Sequence, residues 1–256
     1  MIDRIKEAFE NGKAFIPFIT SGDPSLETTE QLVYAMDDAG ADIIELGVPF
    51  SDPTAEGPVI QAANLRALSS GTTTDKIFSM IAKIRQKTQI PLILMTYANV
   101  VYSYDTELFL KKAASVGVDG LILADVPYEE KEEFSDEYGL CLISMVAPTS
   151  KERIKMIAKD AKGFVYCVSS LGVTGTRKEI KTDVSSMVKL VKEANDIPCA
   201  IGFGISMPET AREMALQSDG AIVGSAIVKI CEKYGAESVP YVAEYVKQMK
   251  EAVSEL

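Results

Sequence analysis

Three carboxylates at the end of an apolar run are the first candidates for chemistry. Glu45 lies between Ile44 and Leu46, and Asp52 and Glu56 follow in a loop rich in glycine and proline. Apolar surroundings raise the pKa of a carboxyl group toward the working range of a general acid or base. The sequence therefore predicts acid–base catalysis by Glu45. A structural glutamate that caps a backbone N–H is an equally open reading of the same pattern.

The absence of histidine narrows the chemistry further, since the chain has none. Serine–histidine and cysteine–histidine nucleophiles and histidine-bound zinc are excluded, so acid–base work must fall to carboxylates, tyrosines or lysines. No lysine lies at the end of a predicted strand, which argues against a Schiff-base aldolase. A divalent metal held by Glu45, Asp52 and Asp125 is a further alternative.

Two glycine-containing segments, residues 202–206 and 224–228, follow the last two predicted strands. Glycine lets backbone N–H groups approach an oxyanion, and a short helix that begins at Ser225 would direct its positive end toward it. The last two loops of α/β barrels are a recurrent phosphate site. We therefore expect a phosphate-bearing ligand, although tight turns alone would also explain these glycines.

The elements that position these residues are short apolar runs alternating with amphipathic segments. Strands are predicted at residues 14–20, 42–46, 91–97, 120–125, 141–146, 164–168, 198–201 and 220–223, and helices at about 4–11, 24–39, 59–69, 74–86, 106–116, 129–138, 151–161, 184–194, 208–217 and from 238 onward. In the second of these helices Asp23 is the expected N-cap and Pro24 the first helical residue.

This alternation predicts an α/β protein with a parallel sheet covered by helices, and about eight such units favour a closed (β/α)₈ TIM barrel. We expect a single TIM-barrel domain over residues 1–256. It would carry an extra N-terminal helix and a short phosphate-binding helix after strand eight. Catalytic groups of such barrels lie on the loops after the strands. Six candidates fall at predicted strand ends: Glu45, Tyr97, Asp125, Ser169, Gly202 and Gly224.

Composition excludes several classes of protein. Hydrophobic residues make up 47% and charged residues 25%, which is ordinary for a globular chain. A net charge of -11 argues against binding nucleic acid or an anionic membrane. The charged N-terminus and the lack of a long apolar run predict a cytoplasmic protein. The four cysteines, Cys141, Cys167, Cys199 and Cys231, are predicted to be buried free thiols.

Over essentially its full length the sequence resembles the α subunit of tryptophan synthase. The matching stretches are residues 17–24, 45–53, 57–61, 124–127, 172–175, 202–206 and 224–228. The resemblance implies a (β/α)₈ barrel that cleaves indole-3-glycerol phosphate to indole and glyceraldehyde 3-phosphate. It also implies a tryptophan synthase β subunit as partner, in an αββα heterotetramer that receives the indole. Pyridoxal phosphate is expected only in that β subunit, and no cofactor or metal in this chain.

The resemblance also implies a role for each matching residue. Glu45 matches the mobile general acid/base, Tyr166 a tyrosine beside it, and Glu56 the second catalytic carboxylate, which binds the indole N–H. The implied substrate-binding residues are Gly175, Gly204, Gly224 and Ser225 around the phosphate, Phe18, Met95, Tyr97, Ala124 and Phe203 around the indole, and Thr174 in the loop that closes over the substrate. Positions facing the β subunit are Pro49, Asp52, Asn99 and Pro127.

One departure from the family concerns Glu56, since the family usually has aspartate in the tetrapeptide Ala-Asp-Gly-Pro. Glutamate keeps the charge but adds a methylene, and about 1 Å of misplacement can cost roughly a hundredfold in rate. We expect Glu56 to serve through a shifted loop. The rival interpretations are a degenerate subunit that acts as an allosteric partner and a lyase that works alone. Retention of Glu45, Tyr166 and the phosphate residues argues against the degenerate subunit.

Overall fold

The computed structural model describes residues 3–134, 138–148, 151–169, 183–202 and 204–255. Its strands are β1 (Ala14–Thr20), β2 (Ile44–Gly47), β3 (Leu92–Thr96), β4 (Gly120–Leu123), β5 (Cys141–Leu142), β6 (Ser144–Val146), β7 (Val165–Val168), β8 (Cys199–Gly202) and β9 (Gly220–Val223). They form one parallel sheet in the order β5-β4-β3-β2-β1-β9-β8-β7-β6. The predicted α/β barrel is confirmed.

The fifth predicted strand is divided into two pieces, so the prediction of one continuous strand was wrong. β5 pairs with β4 and β6 pairs with β7, and the two pieces are separated by Ile143. The N–H of Ile143 still donates to the carbonyl of Leu121 at 2.9 Å. The chain therefore changes its pairing partner at one residue, and the two ends of the strand order meet there. This change brings the sheet close to a closed barrel.

Helices surround the sheet. They are α1 (Arg4–Glu10), α2 (Leu26–Asp38), α3 (Pro58–Ser69), α4 (Thr74–Ile84), α5 (Ala98–Tyr104), α6 (Thr106–Ser115), α7 (Lys151–Lys159), α8 (Val184–Ala194), α9 (Pro208–Leu216), α10 (Ser225–Tyr234) and α11 (Val239–Ser254), with 3-10 helices at Tyr128–Phe134 and Gly235–Glu237. Within the ranges described, none of them combines the length and apolarity needed to cross a membrane.

Alternation along the strands produces two apolar layers. Side chains such as Phe18, Met95 and Ile222 point into the barrel and form an inner cluster. Their neighbours, among them Ile19 and Leu94, point outward and pack beneath the helices. Because successive strand residues face opposite sides, both faces of the sheet are buried and the strands lack polar alternation. The inner cluster fills the barrel and forms the floor of any site above it.

Helix α1 lies against the N-terminal end of the barrel. Phe9 packs on Phe164, which immediately precedes β7, with ring centroids 5.6 Å apart. Arg4 forms an ion pair with Asp119, just before β4, at 2.7 Å. The extra N-terminal helix predicted from the sequence is therefore present, and it covers the end of the barrel opposite the catalytic loops.

The start of α2 differs from the sequence prediction. Ser25 is the N-cap, and its hydroxyl accepts the N–H of Thr28 at 3.1 Å. Asp23, the predicted cap, instead accepts two hydrogen bonds from Arg66, each of 2.8 Å. A long-range partner that can bind both carboxylate oxygens outweighs a local cap here, since bidentate charged hydrogen bonds are the stronger interaction.

Two other local features add to the sequence prediction. The acidic segment predicted as a helix over residues 129–138 is a 3-10 helix, Tyr128–Phe134, in its described part. Helix α5 was not predicted; it is separated from α6 by Asp105, whose φ is 77°. Asp125 accepts the N–H of Ala98 at 2.8 Å and so stabilises the start of α5. The four cysteines are free thiols, as predicted, and all but Cys141 are fully buried.

Candidate active site

A cavity opens at the carboxyl ends of the strands and contains about 480 Å³ of empty space, including its mouth. Side chains and backbone from β1, β2, β3, β7, β9, the segments after β2 and β8, and two helices line it. The lining residues are Phe18, Glu45, Glu56, Ile60, Met95, Tyr166, Gly204, Ile205, Ile222, Gly224 and Ser225. Eight predicted site residues thus meet in one place.

Glu45 lies on β2 and is only 1% exposed. Its Oε1 atom has no hydrogen-bond partner among the described residues. Burial raises the pKa of Glu45 to about 8, and the nearby charge of Glu56 adds to that rise. At neutral pH the group is therefore mainly protonated and can donate a proton into the cavity. No capping hydrogen bond to Oε1 accounts for its burial.

Glu56 enters the cavity from the loop between β2 and α3 and is 6% exposed. The side-chain amide of Gln61 donates to the backbone carbonyl of Glu56 at 2.7 Å, which ties the loop to the first turn of α3. Two acidic groups on separate elements thus share one cavity. Such an arrangement separates their protonation states, because two nearby carboxylates do not readily ionise together.

Tyr166 lies on β7, fully buried, with its pKa far above the ordinary value because of burial and then because of the charges of Glu45 and Glu56. Its hydroxyl group consequently keeps its proton at any physiological pH and is available as a donor. The hydroxyl group lies close to the backbone of Gly202. A Cβ added at Gly202 would lie 2.3 Å from Tyr166 Oη. Gly202 therefore leaves the space that Tyr166 needs.

Two further glycines provide space for Phe18. A Cβ at Gly47 would lie 2.6 Å from Phe18 Cζ, and one at Gly224 would lie 3.1 Å from Phe18 Cδ1. Phe18 is also the register partner of Glu45 across β1 and β2. These glycines thus leave the space that the Phe18 ring occupies. The sequence interpretation assigned Gly224 to phosphate binding or a tight turn and did not include this packing role.

The predicted phosphate side of the cavity is formed by α10 and Gly204. The helix begins at Ser225, as predicted, and Gly224 precedes it without a side-chain cap. Gly204 has φ of 85°, a conformation that favours glycine. The first N–H groups of α10 and its positive dipole end are therefore next to the cavity, an arrangement suited to an anion.

Several predicted residues lie elsewhere. Tyr97 is buried but does not line the cavity. Ala124 lines a neighbouring cavity with Val126 and Met145. Thr174, Gly175 and Phe203 lie outside the described residues. The sequence reasoning did not identify the lining residues Ile60, Ile205 and Ile222; the alternation of β9 was the available signal for Ile222.

Residues predicted to face the β subunit follow three adjacent strands. Asp52 follows β2, Asn99 lies at the start of α5 and Pro127 follows β4, and all three are exposed, whereas Pro49 is buried. Tyr102 on α5 is 51% exposed and packs on the ring of Phe134. Tyr102 lies on the same helix as Asn99 and was not among the residues predicted to face the β subunit.

The described residues contain no group of three or more cysteine, aspartate or glutamate side chains placed to hold a metal ion. Of the suggested ligand set of Glu45, Asp52 and Asp125, only Glu45 lines the cavity. Asp125 instead accepts the N–H of Ala98, and Asp52 is exposed beside Ser51, which donates a hydrogen bond to it.

Comparison with known proteins places this barrel in a family. The model of the tryptophan synthase alpha chain family matches residues 5–254. The chain belongs to the tryptophan synthase alpha chain family. The tryptophan synthase alpha chain of Thermoanaerobacter sp. (strain X514) is 48% identical, with 98% of this chain and 100% of the relative covered. That of Lacticaseibacillus casei is 43% identical, covering 99% and 96%.

Solved structures of the family have the same fold. The tryptophan synthase subunit alpha of Legionella pneumophila has a TM-score of 0.90 at 35% identity, and the match covers 100% of both chains. A structure concerned with mutual activation of the tryptophan synthase a2b2 complex from Pyrococcus furiosus has a TM-score of 0.87 at 35% identity, covering 94% of this chain and 99% of that one.

Proposed function

We propose that this chain carries out the alpha reaction of tryptophan synthase, the cleavage of indole-3-glycerol phosphate to indole and glyceraldehyde 3-phosphate. The observation that carries the proposal is Glu45, a buried carboxyl group with a pKa of about 8 and an Oε1 without a hydrogen-bond partner among the described residues, in a cavity beside the start of α10. An apolar wall, a proton donor and an anion site together match the ring, the reacting carbon and the phosphate of this substrate.

The cleavage begins with proton transfer from Glu45 to C3 of the indole. The ring then carries positive charge toward its nitrogen, and the carboxylate of Glu56 accepts the indole N–H and stabilises that charge. Glu45, now ionised, removes the proton from the side-chain hydroxyl group. The carbon–carbon bond breaks, its electron pair returns to the ring, and an aldehyde forms. Glu45 ends protonated, so the proton balance closes over one turnover.

The other lining residues hold the substrate for these transfers. Phe18, Met95 and Ile60 provide apolar surface for the ring, while α10 and Gly204 provide backbone N–H groups for the phosphate. Tyr166 retains its proton and presents a neutral donor beside the two carboxylates. Since the indole ring itself accepts the electron pair, we propose that the step requires neither a metal nor a cofactor in this chain.

We also propose a tryptophan synthase β subunit as the partner, in an αββα assembly in the cytoplasm, with pyridoxal phosphate only in that subunit. Support comes from the similar Pyrococcus furiosus structure that concerns mutual activation of a tryptophan synthase a2b2 complex. The exposed residues Asp52, Asn99, Tyr102 and Pro127 lie after neighbouring strands at the catalytic end of the barrel. A partner bound there would lie next to the cavity and could receive indole directly.

The test is indole release from indole-3-glycerol phosphate by the purified chain, with and without a β subunit. Wild type is compared with Glu45→Gln, with Glu56→Asp and with Glu251→Gln, an exposed helix glutamate that serves as control. We expect activity that increases with the β subunit, is lost in Glu45→Gln and is unchanged in Glu251→Gln. The rate of Glu56→Asp shows whether glutamate at this position works better or worse than the aspartate that is usual in the family. No indole above background despite complex formation would leave the barrel as a regulatory partner.

A further inference from the structure

Tyr97 follows β3 directly and is 3% exposed, yet it lies outside the cavity lining. Its ring packs on Phe50, with centroids 5.4 Å apart. Its hydroxyl oxygen accepts the N–H of Ala55 at 3.1 Å. Both contacts are to the loop between β2 and α3. Tyr97 therefore holds that loop at two points from the neighbouring strand.

The hydroxyl group has a second contact, to the residue after Ala55. Tyr97 and Glu56 share a side-chain hydrogen bond, and the charge of Glu56 acts on the tyrosine. A phenol has one proton to donate as well as lone pairs to accept. Since the lone pair receives the Ala55 N–H, the proton remains for the Glu56 carboxylate. One hydroxyl group thus contacts both the backbone and the acid of two consecutive residues.

Glu56 needs such a constraint. A glutamate side chain has three torsions, and an acid that must meet a ring N–H has to be held to within a fraction of an ångström. Gln61 fixes only the backbone carbonyl of Glu56. The hydrogen bond from Tyr97 acts on the carboxylate itself, from the neighbouring strand.

We propose that Tyr97 is a positioning residue that acts on the rate through Glu56 and is not a wall of the indole pocket. The inference rests on the function proposed above, because it gives Glu56 the indole N–H to bind. It replaces the pocket role implied by the sequence resemblance. The ring of Tyr97 is engaged with Phe50, and its polar end faces Ala55 and Glu56.

The first experiment compares Tyr97→Phe with Tyr104→Phe in steady-state indole release. Tyr104 is a matched control, because its hydroxyl group also binds a carboxylate, Asp75 at 2.6 Å, on the outer side of the barrel. We expect Tyr97→Phe to lower kcat by roughly 10- to 100-fold, as for a small misplacement of a catalytic group, with KM within about threefold of wild type. Tyr104→Phe should retain wild-type kinetics. An increase in KM with kcat unchanged would restore the pocket-wall role and overturn the proposal.

The second experiment places Tyr97→Phe in a Glu56→Gln background, under single-turnover conditions with excess enzyme. If Tyr97 acts through Glu56, the added loss should be less than about twofold, because coupled residues are not additive. An equal loss in both backgrounds would show independent action and contradict the proposal. A wild-type chain without indole release would instead refute the proposed function, so the two failures are distinguishable.

If Glu56→Gln is too slow to measure, the pH profile of Tyr97→Phe decides. Glu45 has Glu56 and Tyr166 as its titratable neighbours, and a displaced Glu56 raises the pKa of Glu45 less. The decline of kcat in alkali should then move to lower pH than in wild type. An unchanged decline would mean that Glu56 keeps its place without the hydroxyl group, and it would also overturn the proposal.

Discussion

Glu45 and Glu56 reach one cavity from a strand and from the loop that follows it, and they influence each other through their charges. Burial is the main cause of the raised pKa of Glu45, and the carboxylate of Glu56 adds to it. Glu45 is therefore mainly protonated at neutral pH, and the proposed cleavage uses Glu56 as its ionised partner. This division suits a reaction that needs a proton at one atom of a ring and negative charge at another.

The pH dependence of catalysis should reflect this division. Glu45 must carry a proton at the start of turnover, and its pKa is about 8. We expect kcat/KM for indole release to be roughly constant near neutrality and to fall as pH rises through about 8. The measurement is a pH–rate profile of the chain alone, without the β subunit. Activity that still increases above pH 9 would require an ionised Glu45 instead.

Glu45 should also lower stability in alkali. Its pKa is about 8 in the folded chain against an ordinary value of 4.5. Between these values the folded chain binds a proton that the unfolded chain has released, so the free energy of unfolding falls as pH rises. Glu45→Gln, which cannot ionise, should be more stable than wild type by about 1–3 kcal/mol at pH 8.5. At pH 4 the two should be nearly equal. Urea unfolding at both pH values provides the comparison.

Gly202→Ala should disturb Tyr166 directly. The new methyl carbon would lie 2.3 Å from Tyr166 Oη, closer than atoms can approach. We expect the tyrosine to move, with roughly a 10- to 100-fold loss in kcat and about 1–3 kcal/mol of stability. Gly12→Ala is the control for a glycine with open space around its Cβ position; its φ of 118° makes it costly in stability but not in rate. Full activity in Gly202→Ala would show that the hydroxyl position is immaterial.

Asp23→Ala should destabilise the chain through its partner Arg66. Asp23 is 3% exposed and binds Arg66 at both carboxylate oxygens, while Arg66 is 31% exposed. Loss of Asp23 removes the buried, bidentate partner of Arg66, but the partial exposure of Arg66 and its remaining ion pair with Glu232 at 3.1 Å reduce the cost to about 2–3 kcal/mol. Glu129→Ala breaks a comparable pair with Arg153 on the surface, so it should change the melting temperature little. Equal shifts for both variants would contradict this assignment.

The local pattern of apolar residues was enough to predict much of the barrel and to place Glu45 at the end of a strand. The apolar runs identified the strands because both faces of a parallel sheet are buried, and β1 and β9 were predicted with their observed bounds. The pattern made Glu45 a candidate acid, because a carboxylate inside an apolar run is desolvated, but a structural capping role fitted the same residues equally well. The helix that begins at Ser225 was predicted from Gly224 before it and from Ser225 itself, since a glycine turn that leads into a helix is typical of an anion-binding helix start.

Only the tertiary structure decided the contacts between residues that lie far apart in the sequence. The fifth strand divides at Ile143, where its pairing changes from β4 to β7, and this change depends on where those two strands lie in the folded sheet. Asp23 binds Arg66 instead of capping α2, and the sequence did not show this because the two side chains approach each other only in the folded chain. Tyr97 faces Ala55 and Glu56 for the same reason. Sequence fixes which residues are apolar, acidic or small, whereas partners 42 or 43 residues apart along the chain meet only when packing brings their elements together.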